Sequence, residues 1–202
     1  MSFEIKAMSN FSYINILKRE AKHLAAESGV KRSEALSLVA RRSGFSDVHE
    51  LITVAKKSPR ELRLMRAALG TDDFTEVVYQ DDVFRLLYDE VEEALSSAIA
   101  DTNTMGFEIE NLEVKDADFE EKTGVLFIEL LFDYTGEQDP DRAYHGAVFH
   151  VKATLMLARR DGGWSISEPY GLEIHDVERD VDRAHRQDDY EQEWHIERGK
   201  GA

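Results

Sequence analysis

The stretch DDVFRLLYDEVEEALSSAIADT, residues 81–102, constrains the fold of this chain more than any other. Val83, Leu86, Leu87, Val91, Ala94, Leu95 and Ile99 recur at helical spacing, with Asp89, Glu90, Glu92 and Glu93 on the other side. This predicts a long amphipathic helix that must lay its stripe on an apolar surface. The residues after it supply one. FEIENLEVKDADF alternates, with a phase slip near Asn111 that predicts a bulge, and GVLFIELLFDY is apolar on both faces. GAVFHVKATLMLARR sets Val148, His150, Lys152 and Thr154 against Phe149, Val151, Ala153, Leu155 and Leu157, and GWSISEPYGLEIHDV is a weaker fourth strand. Asp161-Gly162-Gly163 suits a tight antiparallel turn between Leu157 and Trp164. A long helix packed on a bent antiparallel sheet of about four strands follows, an α+β fold.

The first 70 residues carry a different pattern, four short helices with separate starts and stops. Ile14, Leu17, Ala21, Leu24 and Ala25 share a face of the first, which ends at Gly29. Ser33 is placed to cap a second, with Leu36, Val39 and Ala40 inward and Gly44 as its stop; Ser46 caps a third, with Val48, Leu51, Ile52 and Ala55 inward. In SPRE, Ser58 at N-cap, Pro59 at N1 and Glu61 at N3 form a capping box for a fourth helix that runs to Gly70. A helical bundle is expected, helix-turn-helix-like through its second and third members.

The two regions differ in sign. Residues 1–70 hold 13 Lys and Arg against 7 Asp and Glu, a net +6, while the remaining 132 hold 12 against 34, a net −22. Such a step suits a basic module to a polyanion and an acidic one to water or a basic protein surface. The expected organisation is a basic bundle over 1–70, an acidic α+β domain over 71–177 and a charged tail over 178–202. No apolar run approaches the roughly 20 residues needed to cross a bilayer, and the N-terminus is polar where a signal peptide is apolar, so a cytoplasmic protein without membrane contact is expected. The absence of cysteine excludes disulfides and thiolate metal sites.

The run LKREAKHLAAESGVKRSEALSLVARRSGFSDVHEL resembles a small helical module found near the N-terminus of bacterial glyoxalase-related and plasmid-borne proteins. The shared elements are a lysine-rich first helix, S-E-A-L…V-A-R in the second and a G-F turn into the third. The likeness covers about residues 14–55, with Val48 where such modules carry an aromatic. Because the module occurs with different companions, the resemblance implies a recognition part and brings no activity. The D-G-G-W-S-I hairpin beside one long helix gives the C-terminal part a weaker resemblance to cystatin-like and nuclear-transport-factor-2-type α+β domains.

Lys18, Arg19, Lys22, Lys31, Arg32, Arg41 and Arg42 are the candidate nucleic-acid contacts. A third helix reading the major groove would present Asp47, His49, Glu50 and Thr53, whose carboxylates repel phosphates, and Arg41 and Arg42 are equally explained by the helix dipole. Weak or no nucleic-acid binding is therefore expected. Asp89, Glu90, Glu92 and Glu93, together with Asp188, Asp189, Tyr190, Glu191 and Trp194, are candidate contacts to a protein partner with a basic surface. The tail that carries the last five has too few aliphatic residues to build a core and reads as a solvated end or a segment ordered by a partner.

Asp133, Tyr134, His145, His150 and His175 would make an acid–base set if they converged, but their spacing does not force it. His145 and His150 differ by an odd number and point to opposite faces of a regular strand. TGEQDPDR at 135–142 reads as a loop without the ordered carboxylates of a calcium site. No catalytic residue, metal or cofactor is expected. The chain reads as a bacterial macromolecule-binding regulator of antitoxin, immunity or mobile-element type. The alternatives are a ligand-binding or hydrolytic enzyme on the concave sheet face and a helix-turn-helix DNA-binding regulator. Convergent His, Asp and Tyr around an open pocket would favour the enzyme, an aromatic-filled interior the binder.

Overall fold

A computed structural model describes residues 11–138, 140–141, 146–160 and 163–184. The chain is α+β. Helices α1 (Tyr13–Ser28), α2 (Arg32–Arg42), α3 (Val48–Lys57) and α4 (Leu62–Leu69) precede a 3-10 helix (Phe74–Tyr79) and the long α5 (Asp81–Ala100). Strands β1 (Thr104–Glu120), β2 (Val125–Gln138), β3 (Val148–Arg160), β4 (Gly163–Ile166) and β5 (Leu172–Arg179) follow. They form one sheet in the order β1-β2-β3-β4, and β3 also pairs antiparallel with β5. No helix among the described residues is long and apolar enough to cross a membrane.

Packing divides the chain into two compact units. One joins Met1–Phe84 with Ala117–Phe127 and Met156–Gly171; the other joins Arg85–Asp116, Ile128–Leu155 and Leu172–Ala202. The charge step at residue 70 lies inside the first.

In the first unit the helix stops follow the sequence, since Gly29 and Gly70 end α1 and α4 at φ 67° and 78°. The starts move. The Lys31 carbonyl already accepts from the Ala35 N–H at 2.9 Å, so α2 opens before Ser33, which lies in its first turn. Asp47, not Ser46, caps α3: its Oδ1 accepts from the Glu50 N–H at 2.8 Å, while the Glu50 carboxylate accepts from the Ser46 N–H and hydroxyl at 2.7 and 2.8 Å. A carboxylate competes well with a hydroxyl for the positive end of a helix. For the same reason Glu61 is itself the N-cap of α4, accepting from the Leu64 N–H at 3.1 Å, and Ser58 belongs to the end of α3.

The buried face of α1 consists of Tyr13, Ile16, Leu17 and Ala21, with Ile14, Leu24 and Ala25 half-buried. The 3-10 helix, absent from the expected pattern, buries Val77 and Val78 completely. These helices share their core with sheet residues. The Phe11 and Phe74 rings lie 5.3 and 5.2 Å from that of Phe119, and Trp164 meets Phe119 edge-on at 6.2 Å. Arg159 Nε donates to the Ala68 carbonyl at 3.0 Å, with its guanidinium 5.5 Å from the Trp164 ring centre. Its hairpin pairs Leu157 with Ile166 and Arg160 with Gly163, so residues 161–162 of the expected turn are bracketed but lie outside the described residues.

In the second unit the stripe of α5 is narrower than expected: Leu87, Val91 and Leu95 are buried, Leu86 and Ile99 half-buried and Ala94 exposed. β2 buries both of its first two residues, Val125 and Leu126, but within this unit it is buried on one face. Ile128, Leu130, Phe132 and Tyr134 are at most 3% exposed, whereas the alternate Leu131 and Asp133 are half-buried, so one face carries the core. The strand also continues through Gln138, into the stretch expected as a loop. Asn111, where the phase slip predicts a bulge, stands at φ 52° in β1, in the left-handed region.

The expected fourth strand is two strands. Residues 167–171 interrupt it, with Pro169 lacking the N–H a ladder requires, and β5 then pairs Phe149 with Arg179 through Leu155 with Leu172 around a bulge at Lys152/Ala153. Glu178 and Arg179, expected at the start of the tail, are thus strand residues, and 180–184 are helical. Asp188, Asp189, Tyr190, Glu191 and Trp194 lie outside the described residues.

Candidate functional site

Adjacent strands β2 and β3 bury Phe132, Tyr134, Phe149 and Val151 on one face, which turns Asp133 and His150 to the other. There they meet. His150 Nδ1 lies 2.6 Å from Asp133 Oδ1, and Asn111 Nδ2 donates to Asp133 Oδ2 at 2.7 Å. Burial opposes ionisation of Asp133, but the hydrogen bonds from Asn111 and His150 and the charges of His150 and Arg183 outweigh it and hold its carboxyl below the ordinary aspartate range. An open recess of about 380 Å³ surrounds the pair, lined further by Leu131, Lys152, Asp176, Glu178 and Arg183.

A histidine with one ring nitrogen committed to a carboxylate keeps the other for proton exchange or hydrogen bonding. Among the described residues the recess is lined by carboxylates, an imidazole, an amide, an amine and a guanidinium and by no hydroxyl or thiol, so it offers proton transfer and polar binding.

The other histidine and tyrosine candidates stand apart. His175 Nε2 lies 2.7 Å from Thr154 Oγ1, in a separate pair on β3 and β5, and Tyr134 belongs to the opposite face. Tyr134 stacks on Phe107 with ring centres 5.0 Å apart, Phe149 lies 5.7 Å from Phe107, and Tyr88 of α5 meets Tyr134 edge-on at 6.2 Å. Tyr88 also donates its hydroxyl to the Phe107 carbonyl at 2.9 Å, and burial pushes the Tyr134 phenol well above its ordinary range. Tyr88, Phe107, Tyr134 and Phe149 thus form an aromatic cluster on the inner face of this unit, beside aliphatic core residues such as Ile128, Leu130 and Leu155. His145 lies outside the described residues, and among those described no three His, Asp or Glu side chains are grouped to hold a metal ion.

Of the acidic candidates on α5, Asp89, Glu92 and Glu93 are exposed. Glu90 is half-buried, and burial, then the charges of Glu93 and Asp89, raises its carboxyl above the ordinary range. The basic candidates Lys18, Arg19, Lys22, Lys31, Arg32, Arg41 and Arg42 are all exposed, the last two in the final turn of α2. Asp47 and Glu50, expected on a groove-reading surface, are both engaged in the cap of α3. Asn111, Lys152, Asp176, Glu178 and Arg183 of this recess were not singled out as functional by sequence reasoning; the signal for Asn111 was the broken alternation of β1. No family model, no curated protein and no solved structure matches the chain.

Proposed function

We propose that this chain is a macromolecule-binding regulator, of the kind represented by antitoxins, immunity proteins and mobile-element regulators, whose acidic α+β part engages a protein with a basic surface. The observation that carries this reading is the aromatic cluster. Tyr88, Phe107, Tyr134 and Phe149 occupy the inner face where an enzyme of such architecture would keep its pocket, which leaves recognition to the exterior. There the exposed carboxylates of Asp89, Glu92 and Glu93 are one-signed and suited to steering a basic partner. Nucleic acid is at most a weak partner, since the cations at the end of α2 also complement its dipole.

The test is kinetic. Once a partner is identified by cross-linking and affinity purification, its association should be fast and slowed by salt. Reversal of Asp89, Glu92, Glu93 and Asp188 together should slow it by about tenfold. A rate indifferent to salt and to that reversal removes the reading.

The contact of Asp133 with His150 favours one second reading, a proton-transfer or hydrolytic site in the open recess. In that case His150→Gln abolishes turnover of an activated ester and leaves partner association intact. Absence of turnover by the native chain removes it.

A further inference from the structure

Between the start of α1 and the end of α3 the helical unit keeps a pocket of about 590 Å³, a size suited to a small molecule. The apolar stripes of the two helices run into it. Ile14 of α1 and Ile52 and Ala55 of α3, all expected inward, are only half-buried there, while Leu17 and Leu51 of the same stripes are buried. Phe11 and Pro59 extend this apolar lining. The wall at Phe11 is fixed: its N–H donates to the Lys122 carbonyl at 3.3 Å, and its ring meets Tyr13 and Phe119 edge-on at 5.0 and 5.3 Å.

The polar part of the lining has a sign. Lys18 of α1 and Lys56 of α3 are exposed, and among the described residues neither has an ion-pair partner, whereas the one lining carboxylate, Glu121, is already held by Arg60 at 2.8 Å. Tyr13, 6% exposed, lines the pocket too, and no described residue hydrogen-bonds its hydroxyl. Burial, then the charge of Glu121, outweighs Arg60 and pushes its phenol up to about 12, so at neutral pH it keeps a proton to donate. Two ammonium groups and a hydroxyl beside an apolar floor suit an anion that carries an apolar body.

We propose that this pocket binds a small amphipathic carboxylate of fatty-acid type, its chain over Ile14, Ile52 and Ala55 and its carboxylate at Lys18 and Lys56. The site goes beyond the partner-binding reading and does not depend on it, since Asp89, Glu92 and Glu93 belong to the other unit.

The full chain is titrated at low salt with decanoate, below its micellar range, and with decyltrimethylammonium, which has the same chain and the opposite charge. Methyl and amide NMR shifts locate the binding. Decanoate should shift Ile14, Ile52 and Ala55 saturably and bind at least about tenfold more tightly than the cation, because two lysines attract the one and repel the other. The double variant Lys18→Gln and Lys56→Gln should melt like the native chain and lose most of that preference. The comparison of the two probes on the native chain stands without the variant.

Absence of saturable decanoate binding, shifts confined to other residues, equal affinity for the two probes, or a preference unchanged in the double variant overturns the assignment.

Discussion

His150 Nδ1 lies 2.6 Å from Asp133 Oδ1, and the Asn111 amide holds the other oxygen of the same carboxylate at 2.7 Å. Two donors on one carboxylate favour its anion, and the Asp133 carboxyl sits below its ordinary range in the fold. Its contribution to stability is therefore complete above the unfolded value of about 3.9 and is lost as pH falls through the lower folded value. Asp133→Asn should cost about 0.5–1 kcal/mol at neutral pH, a modest figure because the pair is partly solvated, and should flatten the acid limb of the stability curve. A carboxyl titration followed by NMR should give a midpoint below that of free aspartate; one at or above it would contradict the pairing.

Leu87 is fully buried on α5 and its neighbour Leu86 is half-buried. Leu87→Ala should cost about 2–5 kcal/mol by urea unfolding and Leu86→Ala about 1 kcal/mol or less. Equal losses would place the helix in a different rotational phase.

Two glycines in the left-handed region have different surroundings. A Cβ at Gly29, φ 67°, meets nothing within 4 Å, while one at Gly124, φ 74°, runs into the Phe11 ring. Gly29→Ala should cost about 1 kcal/mol from backbone conformation alone. Gly124→Ala adds a steric conflict and should cost about 2–3 kcal/mol. Thermal melts of the two variants check the order, and a milder effect at Gly124 would show that Phe11 does not pack there.

Caps can be ranked in the same way. Asp47 accepts from the Glu50 N–H at the start of α3, whereas the Ser33 carbonyl accepts from the Ser37 hydroxyl within α2. Asp47→Ala should lower stability by about 1 kcal/mol and Ser33→Ala by a few tenths at most. The reverse order would restore the serine starts that the sequence suggests.

Helix stops were legible in the sequence because only glycine adopts the left-handed turn without strain, so Gly29 and Gly70 carry their meaning alone. Starts were less so, because at 46–47 and 58–61 serine and a carboxylate stand close together and either can take the cap. The alternation of β3 was readable since Phe149, Val151, Ala153, Leu155 and Leu157 keep one phase, whereas β2, with large apolar residues at successive positions, hides which face is core. The pairing of Asp133 with His150 was beyond reach. They are 17 residues apart, and their meeting depends on the register of two strands, which neither residue's neighbours encode.

The bond from Arg159 to the Ala68 carbonyl spans 91 residues of chain. During synthesis at about 5–20 residues per second, α4 leaves the ribosome roughly 5–20 s before the side chain that closes its last turn exists. Over that interval the four N-terminal helices wait without Phe119, Trp164 and the Arg159 bond to Ala68. This protein is therefore born with its first third incomplete, and a nascent chain truncated before residue 156 should be held by chaperones or degraded where the finished one is released.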